Sequence, residues 1–519
     1  MTRLCNRLAV LALLFACIPA QLAAQALPGV SSLRVVYNTR KAMAKPEGDL
    51  KVKLDEVDRS IAEATKAGNL AEVRRQLAKG TILLTGAAWT PALDYQQSLV
   101  LRSERTVVDS SAPYLLRLEQ MYRPDITLTP TLAVRVALRP RRAPTPPGAA
   151  AAPQASLPAT DMGTFDGVTR DLRESPFPIE LDLSRIPDGP FVIEASVVEG
   201  ETPLGQARLG ILVHKGLDAR LRTLAMAATN VPEALRADVL YPSDFVTNVN
   251  RGRVGVGNFD AAGELTAAES TLAAAQAGKD PFKGRTGSME RHYLLTDANE
   301  VMPYRVYVPT TYTDKIATPL VIALHGLGAN EDSFFDSYGK QPVALAEKHG
   351  FLMAAPLGYR VDGFYGAGAG ASTDPAVRRR SALSEQDVLE VVRLMKARYK
   401  VDDSRIYLIG HSMGAIGTWY LGSKYPDMWA ALAPFSGTGS PTLAERMKQI
   451  PQIVVHGDAD PTVNVEGSRA MVAELKKLGA EVTYIEVAGG NHIDVVVPNL
   501  PKVFEFLAAH KKTAAPAAR

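Results

Sequence analysis

The sequence predicts an α/β chain: a mainly parallel sheet with helices on both faces over residues 286–512, preceded by a helical hairpin and a β-sandwich-like module. Three periodicities carry this prediction. From about residue 286, apolar runs such as Pro319–Leu324, Phe351–Ala355, Arg405–Ile409 and Gln452–His456 alternate with helix-compatible segments. Parallel strands are covered on both faces, so they read as continuous apolar runs separated by crossover helices. Upstream, Leu132, Val134, Val136 and Leu138 are spaced by two, as are Phe191, Ile193, Ala195 and Val197. That is the spacing of half-buried strands. Earlier still, Leu54, Val57 and Ile61, then Leu70, Val73 and Leu77, recur every three or four residues on either side of Gly68-Asn69. This predicts two helices, the second ending at Gly80.

Taken from the amino terminus, Arg3 and Arg7 precede the apolar run Leu8–Ile18, and Ala24-Gln25-Ala26 offers small residues for cleavage. A run this short falls well below the ~20 residues that span a bilayer, so residues 1–26 read as a signal peptide and the destination as secreted or periplasmic. Leu14-Phe15-Ala16-Cys17 resembles a lipoprotein box, which makes an anchor through Cys17 the alternative. The only cysteines, Cys5 and Cys17, lie in this segment. A processed chain would hold no thiol, which excludes disulfides, cysteine nucleophiles and thiolate metal sites. Residues 27–94 form the helical segment and 95–216 the β-module, with Pro187-Asp188-Gly189 as a turn. The Pro/Ala-rich stretch Ala143–Thr160 is expected to be a disordered insert. Residues 217–285 read as a helical connector, carried by Leu217, Leu221 and Leu224 and by the Ala-rich Ala261–Ala277 before Asp280-Pro281.

At 519 residues, two or three domains are expected. A net charge of +3 gives no support for nucleic acid or an acidic polymer as partner, and Arg378-Arg379-Arg380 reads as a solvated face. Ser384-Glu-Gln-Asp387 reads as a capping box ahead of Val388, Val391, Val392 and Met395. Asp362–Ala371 is Gly-rich and suits either a loop over a site or a surface excursion. No P-loop pattern accompanies it, so phosphate binding is a poor reading.

The chemistry begins at Gly410-His411-Ser412-Met413-Gly414, which follows the strand-like Arg405–Ile409 and precedes the helix-like Ala415–Ser423. A G-x-S-x-G turn between strand and helix is the context of a nucleophile elbow, where the flanking positions must lack side chains. Ser412 is the candidate nucleophile. In α/β-hydrolases an acid and then a histidine follow in chain order. The strand-like Gln452–His456 runs into Gly457-Asp458-Ala459-Asp460, which offers Asp458 or Asp460. The strand-like Glu481–Val487 runs into Gly489-Gly490-Asn491-His492, which offers His492 as base. The other seven histidines lie before, inside or outside the required positions. Pro319–Leu324 leads into His325-Gly326-Leu327-Gly328, so the backbone amides of Leu327 and Met413 are the candidate oxyanion donors.

These residues resemble the secreted α/β-hydrolase esterases that include polyhydroxybutyrate depolymerases, feruloyl and acetylxylan esterases and the phospholipase/carboxylesterase group. The matching stretches are Tyr304–Pro309, His325–Gly328, Asp403–Gly414, His456–Val463 and Gly490–His492, within residues 286–510. The resemblance implies Asp460, in the Asp-x-x-Val run, as the acid, with Asp458 as the alternative. One departure is Ala415, where such enzymes commonly carry glycine, so the packing behind the elbow is expected to differ. The expected reaction is hydrolysis of a small-molecule or polymer-linked carboxylic ester through an acyl-enzyme, with no metal or organic cofactor and no membrane span. A serine peptidase of the prolyl-oligopeptidase type shares the order, although no repeat suggests its propeller. A catalytically silent cell-surface module is the reading from another class.

Overall fold

The computed structural model describes residues 30–129, 131–141, 158–257, 259–368, 372 and 374–512. The candidate signal peptide 1–26, with its Cys17 box, lies outside the described residues. So does the insert as far as residue 157, but its expected end, Thr160, is the first residue of a strand. The described chain divides into two units: residues up to Met226 with Pro242–Thr266, and Ala227–Tyr241 with the chain from Ala267 onward.

In the first unit the expected hairpin is part of a larger helical group. Helices Gly48–Lys66 and Leu70–Leu83 bury Leu54, Val57, Ile61, Val73 and Leu77 as their spacing requires. Leu70 is exposed, one residue past the cap Asn69, whose side chain accepts from the Glu72 amide. A further helix, Val30–Ala44, brings Tyr37 into this core, with its hydroxyl donating to Asp58 at 2.8 Å. The second helix does not end at Gly80. A Cβ there would lie 2.5 Å from the Tyr37 ring, so this glycine makes room for a neighbour rather than ending the helix.

After helix Pro91–Ser98 come the strands β1 (Leu99–Arg102), β2 (Val107–Val108), β3 (Tyr114–Gln120), β4 (Leu132–Pro140), β5 (Thr160–Val168), β6 (Phe177–Leu181), β7 (Gly189–Glu199) and β8 (Thr202–Val213). They form a three-stranded sheet β1-β3-β6 and a five-stranded sheet β2-β8-β7-β4-β5. Leu116, Leu118 and Ile179 of one share a core with Val134, Val136, Ile193 and Val197 of the other. Two sheets closing on one apolar layer make a β-sandwich.

The second unit is built on β9 (Gly287–Leu295), β10 (Glu300–Val308), β11 (Thr318–Leu324), β12 (Leu352–Pro356), β13 (Val401–His411), β14 (Ala431–Phe435), β15 (Gln452–Gly457) and β16 (Val482–Val487). They form one sheet in the order β16-β15-β14-β13-β11-β12-β10-β9. The strands from β11 to β16 pair in parallel, while β10 is antiparallel to both β12 and β9. Along β11 the side chains divide between two cores. Leu320, Ile322 and Leu324 pack with helix Pro375–Arg398 and helix Met413–Lys424 on one face. Val321 and Ala323 pack with helix Gln341–His349 and helix Val496–Ala509 on the other. Fully burying one such aliphatic side chain contributes roughly 1.5–3 kcal/mol.

From β11 the chain crosses to β12 on one side and then returns past β11 to β13 on the other. That reversal opens a crevice at the carboxyl ends of β11 and β13, the place where ligands settle in open parallel sheets. His325 and Ser412 directly follow or close these two strands.

One expectation fails here. Ser384 is not a helix cap: the helix starts at Pro375, capped by Asp374, whose carboxylate accepts from the Ala376 amide at 2.8 Å. Ser384 and Asp387 are instead fully buried mid-helix, accepting from the Tyr365 amide (3.0 Å) and from Tyr293 Oη (2.6 Å). In the described part of the Gly-rich stretch a single helical turn, Phe364–Gly366, interrupts the loop. Phe364 and Tyr365 take positive φ, and the Tyr365 ring is completely buried.

Candidate active site

Ser412 sits between β13 and helix Met413–Lys424 with φ 58° and ψ −116°. A non-glycine residue there is strained by about 1–3 kcal/mol, and the surroundings must hold it. They do so through contacts that admit no side chain. A Cβ on Gly410 would lie 2.2 Å from the Gly414 carbonyl oxygen, and one on Gly414 would lie 2.0 Å from that of Leu324. The Ser412 amide donates to Phe435 O on β14 at 2.9 Å. Ala415, the departure from the expected glycine, is buried, and its methyl fills the space a side chain at Gly437 would need.

The segment after β11 lies against this turn. The Cα of Gly326 comes so close that a Cβ on it would be 3.5 Å from the Ser412 Cβ. Gly328 N donates to Val361 O (2.9 Å) and Ala329 N to Gly326 O (3.1 Å), and these two amides close the turn. Leu327 N is not one of them, and the Leu327 side chain points outward, 61% exposed. Met413 N is the first amide of its helix, so no intrahelical acceptor claims it.

The loops after β15 and β16 meet. His492 Nδ1 lies 2.7 Å from Asp460 Oδ2. The second oxygen, Oδ1, accepts from the amides of Thr462 (2.7 Å) and Val463 (2.9 Å). Burial alone would push the Asp460 pKa up. The His492 hydrogen bond and these two amides outweigh it and hold the carboxyl below its usual range. Asp458 is exposed and accepts from Gly489 N at 2.7 Å, which braces the histidine loop without touching the imidazole.

His411, within the elbow, joins that loop to the serine's turn. Its Nε2 lies 2.8 Å from His492 O, and Tyr338 Oη lies 3.0 Å from its Nδ1. Because a carbonyl can only accept, the proton sits on Nε2 and Tyr338 donates to Nδ1. Burial, followed by the neighbouring His492, pushes the His411 pKa down to about 4. Beneath the elbow, Tyr365 donates to His325 O at 3.1 Å, and its ring fills the space left by Gly417 and Gly358. His325 is buried between the carbonyls of Gly326 (2.8 Å) and Leu357 (2.7 Å), and burial lowers its pKa.

The candidate site residues Leu327, Ser412, Met413, Asp460 and His492 thus follow the carboxyl ends of their strands, and Asp460 and His492 are in direct contact. Three contributors were missed. Tyr338 and Tyr365 reach the site from distant segments with no local pattern. His456, 3.1 Å from Asp460 Oδ2, was set aside as the end of a strand although it stands four residues before the aspartate.

A parallel sheet with this strand order, a serine at positive φ after β13 and a histidine–carboxylate pair after β15 and β16 define an α/β-hydrolase. Residues 296–511 match the model of the Esterase family, described as putative esterase. A bifunctional acetylxylan esterase/xylanase of Neocallimastix patriciarum is 29% identical over 161 residues, 31% of this chain and 22% of the relative. Feruloyl esterase B of Talaromyces stipitatus is 28% identical over 132 residues, 25% of this chain and 35% of the relative. The chain therefore spans well under half the length of these curated relatives. A crystal structure of a thermostable esterase aligns with 26% identity over 43% of this chain and 63% of its own, at a TM-score of 0.37.

Proposed function

We propose that the protein hydrolyses carboxylic esters through an acyl-enzyme, with Ser412 as nucleophile, His492 as general base and Asp460 as the orienting acid. The observation that carries this is the 2.7 Å contact from His492 Nδ1 to Asp460 Oδ2, made by the loops that follow β15 and β16 in the sheet that presents Ser412. With Nδ1 committed to the carboxylate, Nε2 is the nitrogen free to take the Ser412 proton. The Ser412 oxygen adds to the acyl carbonyl, and the Leu327 and Met413 amides receive the tetrahedral oxyanion. His492 then returns the proton to the departing alkoxide, which leaves as the alcohol. Water, deprotonated by the same ring, releases the acid and restores the serine. One oxyanion donor contributes roughly 10²–10³ in turnover, so the turn at Gly326–Gly328 matters as much as the side chains.

The names of the relatives point to acetyl and feruloyl esters of plant polysaccharide as the first substrates to try, whether small or polymer-linked. We further infer export through the signal-like residues 1–26 and a division into helical, sandwich, connector and catalytic segments at 27–94, 95–216, 217–285 and 286–512. No helix among the described residues is long and apolar enough to cross a membrane. The test is a panel of acetyl, butyryl, longer-chain and feruloyl esters beside peptide amides, with fluorophosphonate labelling of wild type and Ser412→Ala. Ester turnover and labelling, both abolished in Ser412→Ala, are expected. Cleavage of amides but not esters, or undiminished turnover in Ser412→Ala, overturns the reading.

A further inference from the structure

We infer that His456 is a positioning residue for the proposed reaction, holding the Asp460 carboxylate in line with His492; this rests on the assignment of Asp460 as the acid. The ring is fully buried at the end of β15. Its Nε2 lies 3.1 Å from Asp460 Oδ2 and 3.0 Å from Val463 O. An ionised carboxylate and a carbonyl are both acceptors only, so Nε2 must carry a proton. Nδ1 lies 2.8 Å from Ser468 Oγ, whose hydroxyl also reaches Gly437 O at 3.0 Å. Whichever way that hydroxyl turns, the donor facing Asp460 is kept, and the ring is clamped at both nitrogens.

The consequence follows from the distribution of donors over the carboxylate. Oδ1 is pinned by two backbone amides and Oδ2 by two histidines, His492 from the crevice and His456 from the protein interior. Two amides on one oxygen leave the group able to rock about its Cβ–Cγ bond. A second, interior donor on the other oxygen stops that rocking and fixes the lone pair offered to His492. It also draws negative charge from Oδ2, which tempers how strongly the carboxylate stabilises a protonated His492. The other ionisable groups around the ring are His411 and, opposite His456 on β16, Glu486, itself held by Arg469 and Tyr484.

Two amide substitutions separate this role from plain packing. His456→Asn places its amide near the position of Nδ1, retaining the Ser468 side and abandoning Asp460. His456→Gln reaches the position of Nε2 and retains the donor to Asp460. Hydrolysis of p-nitrophenyl acetate is measured across pH, with melting temperatures alongside. His456→Asn is expected to lose roughly tenfold in kcat with little change in KM. The acidic limb of its kcat/KM profile should move to higher pH, because the unshared carboxylate binds the histidine proton more tightly. His456→Gln should stay within about threefold of wild type with the limb in place. Equal losses in both variants with an unmoved limb, or wild-type behaviour in a folded His456→Asn, overturn the inference. If His456→Asn does not fold, His456→Leu, which fills the ring's space but offers no donor to Asp460, takes its place with the same expected and refuting results. Ser412→Ala runs in parallel. If it is inactive while His456→Asn behaves as wild type, this inference alone fails; if Ser412→Ala is active, the proposed reaction itself fails.

Discussion

Gly414 tests whether the elbow works by backbone contact. An alanine there would put its Cβ 2.0 Å from Leu324 O, 2.6 Å from Leu324 C and 2.9 Å from His325 O. An ordinary carbon–oxygen contact is about 3.3 Å, so the turn and the end of β11 must separate by about 1 Å. Neither side yields easily, because Leu324 is wholly buried in the central strand and the opposing atoms are backbone. Overpacking of this kind costs about 1–3 kcal/mol, and the helix-propensity gain of glycine to alanine returns at most about 1. For a unit of this size, at roughly 2–4 °C per kcal/mol, the net loss of up to about 3 kcal/mol lowers the melting temperature by up to roughly 12 °C. The displaced strand end is also the one that leads to the Leu327 amide, and a 1 Å misplacement can cost about 10²-fold in turnover. The assay compares p-nitrophenyl acetate turnover, fluorophosphonate labelling rate and melting temperature in wild type, Gly414→Ala and Gly479→Ala. Gly479 has φ 74° with nothing within 4 Å of a Cβ, so its variant carries backbone strain alone and should keep wild-type turnover. If Gly414→Ala turns over and melts like wild type, the claim that apposed backbones set the site's geometry is wrong.

Asp460→Asn should lower kcat by roughly 10³–10⁴-fold through loss of the acceptor that sets the His492 tautomer, whereas Asp458→Asn, which only braces Gly489, should lose less than about tenfold. Steady-state kinetics decides, and the reverse ranking would make Asp458 the acid. His411 bears on acid stability. Its folded pKa, about 4, lies below the unfolded value, so the stability its neutral ring contributes is present above about pH 6.5 and lost as pH falls through about 4. Urea unfolding at pH 4 to 7 should show wild type losing up to about 3 kcal/mol relative to His411→Gln across that window. Parallel pH dependences in the two proteins would remove His411 as the cause.

What could be read from the chain was whatever sequence encodes locally. Buried parallel strands announce themselves as apolar runs, and their following loops hold Ser412, Asp460 and His492 in an order that needs no coordinates. Asp458 and Asp460 share one turn, so spacing leaves both open. Depth separates them, since the Asp460 side chain is buried and that of Asp458 is exposed. Ser384–Asp387 has the composition of a capping box, but the helix had already begun at Pro375, and burial turned both polar groups toward Tyr365 and Tyr293. Gly80 looked like a stop because the ring it accommodates, Tyr37, is far away in sequence. The contacts of Tyr338 and Tyr365 with the elbow are equally remote, and no short window contains them.

β16 forms one outer margin of the eight-stranded sheet, and its sequence, Val482-Thr-Tyr-Ile-Glu-Val487, is otherwise apolar and β-prone. Such a margin is a template for adding strands from other chains. Its lone acidic residue, Glu486, is gripped by Arg469 at 2.6 and 2.9 Å and by Tyr484 at 2.7 Å. The Arg469 bond, followed by that of Tyr484, holds its pKa at about 2, so the charge persists through any working pH. That one clamped carboxylate, paired with Arg469, therefore fixes charged groups on an otherwise uncharged sheet margin, the kind of feature that blunts an exposed edge.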